Sequence, residues 1–433
     1  MNRAVQIILI IIAVTVLWAG ILLLLSSDTL SYRISFLLAQ VKYALNPPQQ
    51  AIFVPVSQPS ATAAIEMVPM RSPTPTISLT TPTASPAAPS PTATPTLIPT
   101  PLPASANLKG VLHQFQMWNN CGPANLSMAL SYWGWKGDQR DTAAFLKPNE
   151  RDKNVMPYEM EDFVEQETDL EAAARPGGDL RMIKAFVSSG FPVIAEKGFE
   201  GVGFDGWMGH YQLVTGFDDA SGHFTIQDSY KGPDYPVTYD DFLADWRSFN
   251  YTYLVIYPVD RRQQVLDILG LQAYDNFNNR LALQRSIEDV QRLSNRDLFF
   301  ALFNQGTNLV AVQDYTRAAE SYDAAFANYA QIPEAERPWR MMWYQTGPYF
   351  AYYYTGRLQD VINLATQTLD AMTEPILEES FYWRARAYLA LTDVDSSVKD
   401  LRQCLVVHPG FDPCNQELLK MGIEPPPTPV LSQ

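Results

Sequence analysis

The sequence predicts three parts: a membrane-spanning helix, an α+β domain and an all-α solenoid. Three observations lead to this fold class. The chain begins with one long apolar run, its middle third mixes helical periodicity with alternating strand patterns, and its last third is helical throughout. The 433 residues are enough for two or three domains that each bury a core.

The predicted anchor occupies residues 1–27, where AVQIILIIIAVTVLWAGILLLL forms the apolar run. About 20 such residues span the hydrocarbon core of a bilayer as a helix. No A-x-A cleavage site follows, so an uncleaved anchor is favoured over a signal peptide. Arg3 precedes the run, and Arg33 and Lys42 follow it, so charge alone does not orient the helix. The very short N-terminal tail favours a single-pass cell-membrane protein whose C-terminal domains lie outside the cytoplasm.

Residues 28–105 are predicted to form a membrane-proximal segment and a linker. From residue 72 the chain reads SPTPTISLTTPTASPAAPSPTATPTLIPTPLPAS, which is rich in proline, threonine and serine. Proline fixes φ and removes hydrogen-bond donors, so this stretch should be an extended spacer. It would hold the folded domains away from the bilayer.

The charge of the chain excludes one class of function. There are 46 acidic and 31 basic residues, a net charge of −15, and no basic cluster. We therefore expect no nucleic-acid partner. No Gly-rich phosphate loop and no metal-spaced His/Cys cluster occurs, so no cofactor is expected.

The chemistry-bearing motif begins at QFQMWNNCGPANLSMALSYWG, residues 114–134. The apolar residues after Cys121 recur at helical spacing, and Pro123 suits the first turn of a helix. Either Asn119 or Asn120 is a candidate N-cap. Cys121 is therefore predicted at the start of a helix, where the helix dipole stabilises a thiolate nucleophile.

A β-hairpin is predicted over residues 209–230, GHYQLVTGFDDASGHFTIQDSY. If its turn centres near Ala220, Asp228 lies opposite Gln212, which shares a face with His210. His210 and Asp228 are then diagonal neighbours. This arrangement suits a base, His210, and the carboxylate that orients it.

The other histidines fit the role of the base less well. His223 directly follows the turn glycine, His113 lies in an extended lead-in, and His408 lies in the helical part.

An acyl-transfer site also needs a donor for the developing oxyanion. Gln116 is preferred for this role, with Gln114 as the alternative.

These motifs together resemble the bacteriocin-processing, double-glycine peptidase family of the papain-like clan. The resemblance covers about residues 110–258, and includes helix and strand patterns in NVMPYEMEDFVEQ and DLRMIKAFVSSGFPVIAEKG. It implies a papain-like peptidase domain at residues 106–259. It also implies that Cys121 is the nucleophile, His210 the base, Asp228 the orienting acid and Gln116 the oxyanion donor.

The sequence departs from this family in two ways. The best-known members carry a glutamine six residues before the cysteine, where this chain has Phe115, flanked by Gln114 and Gln116. Those members are also fused to a transporter, whereas this chain has an anchor and a linker. Cleavage after Gly-Gly is therefore not assumed.

The C-terminal part resembles tetratricopeptide repeats over residues 296–422, after a helical connector at 260–295 and before a disordered tail at 423–433. Three units are predicted, near residues 304–325, 343–369 and 381–409. Such repeats usually bind a protein or peptide in their groove, although a purely stabilising solenoid is the alternative. Cys404 and Cys414 flank the last turn, and outside the cytoplasm they could form a disulfide.

The function predicted from these features is that of a cysteine peptidase, acting on a peptide or protein substrate. Two alternatives remain at the sequence level. The same site could carry out transglutaminase-like acyl transfer, or the chain could be a catalytically silent peptide-binding protein at the cell surface.

Overall fold

The computed structural model describes residues 34, 37, 38, 41, 45, 50–56, 101–149, 151–152, 154–200 and 206–427. The predicted anchor, most of the predicted linker and part of the predicted tail lie outside these described residues. Among the described helices, none is long and apolar enough to cross a membrane.

The first unit is an α+β domain, as predicted, and it is built on one antiparallel sheet. The described strands are β1 (Ser105–Asn107), β2 (Leu170–Arg175), β3 (Val193–Phe199), β4 (Met208–Asp218), β5 (His223–Asp228), β6 (Gly232–Thr238) and β7 (Tyr253–Pro258). Their order is β2–β7–β3–β4–β5–β6, and β1 pairs with the end of β4. The predicted hairpin is therefore confirmed as β4–β5.

Helices cover both faces of this sheet. They are α1 (Cys121–Tyr132), α2 (Gln139–Leu146), α3 (Pro157–Glu167), α4 (Leu180–Ser188), α5 (Tyr239–Arg247) and α6 (Arg262–Leu269). Leu126 of α1 and Phe163 of α3 share one apolar core with Leu213 of β4. Phe186 of α4 and Trp246 of α5 belong to a second core on the other face. Because both faces are covered, the central strands β3 and β4 are buried along most of their length.

The second unit is helical, which confirms the helical part of the predicted fold class. Its helices are α7 (Asp275–Arg292), α8 (Asn295–Ala311), α9 (Tyr315–Tyr329), α10 (Met341–Tyr344), α11 (Gly347–Tyr354), α12 (Leu358–Asp370), α13 (Glu378–Ala390), α14 (Val394–Val407) and α15 (Asp412–Lys420). Three residues join the helices in each of the pairs α8–α9, α11–α12 and α13–α14. The middle residue of each connection has a positive φ: Gln313, Gly356 and Thr392. The chain therefore reverses in the same way in all three pairs.

Buried polar contacts join the two units. Asn250 of the α+β domain donates to the Asn308 side chain over 2.7 Å. Tyr251 donates to the Asp289 carboxylate, also over 2.7 Å. Buried polar groups are costly when they lose their partners, so these contacts favour one relative placement of the units.

Part of the segment predicted to be membrane-proximal packs on the helical unit. Phe53 is 5% exposed, and its ring centroid lies 5.0 Å from that of Phe326 in α9. The backbone N–H of Val56 donates to Asp360 of α12 over 2.6 Å. Residues 50–56 are therefore a strap across α9 and α12.

A disulfide joins Cys404 of α14 to Cys414 of α15. The chain has three cysteines, so Cys121 is its single free thiol.

Candidate active site

Helix α1 begins at Cys121, as its local sequence predicts. Asn120, one of the two candidates, occupies the predicted N-cap position, although its side chain makes no capping hydrogen bond. Its amide instead donates to the Gln139 side chain over 3.0 Å. The Asn119 amide donates to the backbone carbonyl of Asp152. Both asparagines instead tie the turn before Cys121 to neighbouring segments.

The register of the β4–β5 hairpin agrees with the sequence prediction. Leu213 pairs with Gln227, so the next pair along the strands places Gln212 opposite Asp228. The register shifts by one residue between Val214 and Gly216, and it is this shift that brings Gln212 opposite Asp228. His210 and Asp228 are thereby brought to one place, as side-chain alternation requires.

Asp228 and Cys121 contact different sides of the His210 imidazole. The Nε2 atom of His210 lies 3.4 Å from the Asp228 carboxylate. The imidazole also hydrogen-bonds the Cys121 side chain. Because Nε2 faces Asp228, Nδ1 is the ring nitrogen available to the thiol. His210 is 4% exposed and Asp228 is fully buried, so bulk water competes little with these contacts.

The Asp228 carboxylate is held by three further donors. The backbone N–H groups of Tyr230 and Lys231 each donate to Oδ1 over 2.8 Å. The Gln212 amide donates to Oδ2 over 2.5 Å. These donors fix the carboxylate in place and favour its charged form.

The charges of the site support a thiolate–imidazolium pair. Burial raises the pKa of Cys121, but the hydrogen bond and charge of His210 outweigh it, and the net shift is downward. Burial lowers the pKa of His210, but the charge and hydrogen bond of Asp228, with the contact to Cys121, raise it to about 9. Burial likewise raises the pKa of Asp228, but His210 and the surrounding donors bring it well below its usual range. Both shifts favour the thiolate–imidazolium pair over the neutral thiol and imidazole.

Gln116 is held by a polar network behind Cys121. Its Oε1 accepts a hydrogen bond of 2.8 Å from the Ser229 hydroxyl. The Asn125 amide donates to that hydroxyl over 3.2 Å and to the Cys121 carbonyl over 2.9 Å. Gln116 therefore belongs to the hydrogen-bond network that reaches the backbone of Cys121.

Gln114 is engaged elsewhere. Its Oε1 accepts a hydrogen bond of 3.0 Å from the backbone N–H of Gln139 at the start of α2. It therefore helps to position α2, whereas Gln116 belongs to the network that reaches Cys121.

The other histidines do not contact Cys121. His113 Nε2 lies 2.9 Å from the backbone carbonyl of Asp228. His223 begins β5 at the turn end of the hairpin. His408 Nδ1 lies 2.9 Å from Glu378 in the helical unit. Of the four histidines, His210 is the one hydrogen-bonded to the cysteine.

Two side chains that the sequence analysis did not predict also line the cleft beside Cys121, namely Glu196 and Tyr344. Burial raises the pKa of Glu196 to about 8, so its carboxyl is mainly neutral at pH 7 and can donate a hydrogen bond. The sequence feature that could have indicated Glu196 is its position as a charged residue within the apolar run of β3. Tyr344 comes from α10 of the helical unit, and no local pattern indicates its place. The cavity measures about 20 Å³.

A cysteine at a helix start, a buried histidine against it and a carboxylate behind the histidine form an arrangement that suits cysteine-dependent acyl transfer. Residues 108–254 match the model of the Peptidase_C39 like family, which is 147 of the 433 residues. The resemblance inferred from the sequence motifs is thereby confirmed for this segment.

The crystal structure of a putative C39-like peptidase from Bacillus anthracis shares 17% identity with this chain, over 35% of this chain and 96% of that chain. Its TM-score is 0.30, a likeness too low to define a shared fold. No curated protein matches the chain.

Proposed function

We propose that this protein is a membrane-anchored cysteine peptidase of papain-like type, with its folded units outside the cytoplasm. The observation that carries the proposal is the Cys121–His210–Asp228 arrangement, in which one imidazole bridges the thiol and a fully buried carboxylate. The family match of residues 108–254 supports the same chemistry. The apolar run at residues 4–25 supports the anchor.

In this mechanism, the Cys121 thiolate attacks a peptide carbonyl and forms a tetrahedral adduct. The Gln116 amide and the backbone N–H of Cys121 stabilise the negative oxygen. The His210 imidazolium protonates the leaving amine, which departs as the acyl-enzyme forms. Neutral His210 then accepts a proton from water, whose hydroxide releases the acid and restores the thiolate–imidazolium pair.

The proposal includes a partner for the helical unit. The three helix pairs are joined in the same way, which supports a tetratricopeptide-like solenoid that holds a protein or peptide. Tyr344 connects this unit to the cleft, so an occupant of the helical unit could influence which substrate reaches Cys121.

One observation favours the alternative of a catalytically silent binding protein. The cavity of about 20 Å³ beside Cys121 holds roughly one water molecule. A peptide substrate therefore requires the cleft to open. A peptidase requires a cleft that opens and lets Cys121 react with the peptide, whereas a silent binding protein does not.

The test is to incubate the full chain, in detergent micelles, with a peptide library and a primary amine. Mass spectrometry reads the products, and Cys121→Ala is the matched control. New carboxyl termini from the wild type alone are expected. Amine adducts in place of free acids would show that the site transfers the acyl group to an amine and does not hydrolyse the peptide. Peptide binding without any product, or cleavage that persists in Cys121→Ala, would overturn the proposal.

We expect Gln116→Ala to lower kcat about 100-fold with little change in KM, because an oxyanion donor acts mainly in the transition state. Gln114→Ala is the matched control, two residues away, and should change kcat less than about threefold, because the Gln114 side chain contacts α2 instead. Steady-state kinetics on one cleaved peptide decides between them. Equal losses in both variants would contradict the assignment.

Tyr344→Ala should widen the cleft. The Tyr344 ring packs against the backbone at Gly209, where an added Cβ would lie 3.0 Å from it. We expect kcat/KM to rise about tenfold for peptides with bulky residues at the scissile bond, relative to those with small ones. Tyr274→Ala removes an exposed tyrosine and is the control. A uniform change for all peptide sizes would show that Tyr344 does not limit access.

A further inference from the structure

A second cluster of chemistry-bearing side chains lies between the two units, outside the Cys121–His210–Asp228 site. Asp152 lies in the segment before α3, Glu378 is the first residue of α13, and His408 is the C-cap of α14. One possible ligand atom from each residue lies within 4.8 Å of the other two. Asp152 and Glu378 are each 1% exposed.

The negative charge of this cluster is poorly balanced. Glu159 and Glu379 interact electrostatically with Glu378 and, like it, are largely buried. In the described part of the chain, no lysine or arginine forms an ion pair with these two or with Asp152 and Glu378, and His408 is their basic neighbour. Isolated buried carboxylates are costly unless a proton or a cation neutralises them.

One atom of the cluster lacks a partner. Glu378 Oε1 lies 2.9 Å from His408 Nδ1, but Glu378 Oε2 is buried and has no hydrogen bond within the described residues. A buried acceptor without a partner is destabilising, and more so when it is charged. Besides the clustering, this oxygen offers an unused acceptor that a bound cation would satisfy.

We propose that Asp152, Glu378 and His408 bind one divalent cation of the zinc and manganese class, which clamps the helical unit to the α+β domain. Two carboxylates and one imidazole suit such ions. Calcium prefers six to eight oxygen ligands and magnesium prefers oxygen and water, so both fit less well. Ligands of zinc lie about 2.0–2.2 Å from the metal, hence about 3–4 Å apart, so small side-chain movements from 4.8 Å suffice.

The ion would also stabilise the walls of the cleft. The backbone carbonyl of Asp152 accepts the hydrogen bond from Asn119, two residues before Cys121. Asn154, two residues after Asp152, donates to the Trp343 carbonyl over 2.6 Å, next to Tyr344. If the ion fixes Asp152, the segment around Asp152 connects the turn before Cys121 to α10 through these two hydrogen bonds.

The experiment uses the full chain in detergent micelles, treated with chelator and titrated with Zn²⁺ and separately with Co²⁺. We expect one zinc ion per chain by calorimetry, visible absorption bands from bound cobalt, and a Tm raised by about 5 °C at a 100-fold excess over Kd. No saturable binding up to about 1 mM zinc would overturn the proposal.

The variants Glu378→Gln and His408→Ala should abolish the cobalt bands and the zinc-dependent rise in Tm. The comparison is made within each variant, with and without ion, so a change in basal stability does not affect it. His223→Ala and Glu334→Gln remove the same residue types elsewhere and should bind as the wild type does. Binding that survives Glu378→Gln and His408→Ala together would place the ion elsewhere and overturn the assignment.

Discussion

His210→Ala is expected to reduce peptide hydrolysis at least about 1,000-fold, because it removes both the base and the proton donor of the proposed mechanism. The substitution should also change the pKa of the Cys121 thiol, which can be measured without a substrate. His210 is what lowers the pKa of the buried thiol. Without it, burial is opposed only by the smaller effects of the Tyr211 backbone and the Lys147 charge, so we expect the pKa of Cys121 to rise.

Alkylation of Cys121 measures this effect directly. Cys404 and Cys414 are joined in a disulfide, so under non-reducing conditions the label reports Cys121 alone. We expect the wild type to react readily at pH 6–7, and His210→Ala to react at least about tenfold more slowly there and to recover only in alkali. His223→Ala, on the same hairpin but at its turn end, should behave as the wild type does. An unchanged pH profile in His210→Ala would contradict the thiolate–imidazolium pair.

Asp228→Ala is expected to have the second large effect, on both activity and stability. Removal of the carboxylate leaves the Gln212 amide and the N–H groups of Tyr230 and Lys231 without their buried acceptor. We expect the free energy of unfolding to fall by about 2–4 kcal/mol. Loss of the group that orients His210 should lower kcat by about 1,000- to 10,000-fold.

The pH dependence of stability offers a separate check on Asp228. The pKa of His210 is raised to about 9, so its contribution is complete below about pH 6.5 and is lost as pH rises through 9. The pKa of Asp228 is depressed, so its contribution is complete above about pH 4 and is lost on further acidification. Asp228→Ala should remove most of the decline in unfolding free energy between pH 6.5 and 9.

Denaturant titrations at several pH values provide these measurements. Asp219→Asn is the control, because Asp219 is exposed and pairs with Lys184 at the surface. It should change the unfolding free energy by less than about 1 kcal/mol and leave the alkaline decline in place. If Asp228→Ala kept the wild-type decline, the charge of Asp228 would not be what raises the pKa of His210.

The proposed nucleophile, base and acid could be predicted from the sequence because their positions depend on local rules. Periodic apolar residues and Pro123 predict that α1 begins near Cys121. Strand alternation and one turn signal predict which residues of β5 lie opposite those of β4. These rules act over about 20 residues, and the observed start of α1 and register of β4–β5 agree with them.

The tertiary structure decided side-chain contacts that local sequence rules do not predict. Gln116 and Gln114 are equivalent in sequence, and the Ser229 hydroxyl, 113 residues away, distinguishes them. Asn120 is the N-cap of α1, but long-range contacts with Gln139 and Asp152 set how the Asn120 and Asn119 amides are oriented.

The sequence by itself therefore determined the local chemistry of this protein: a cysteine at a helix start and a histidine and an aspartate on one hairpin. Only the tertiary structure brought Tyr344 to the cleft and Asp152 to Glu378 and His408. The physical reason is that helix and strand periodicity depends on near neighbours. Contacts between residues that are hundreds of positions apart depend instead on how whole elements pack to bury their apolar faces.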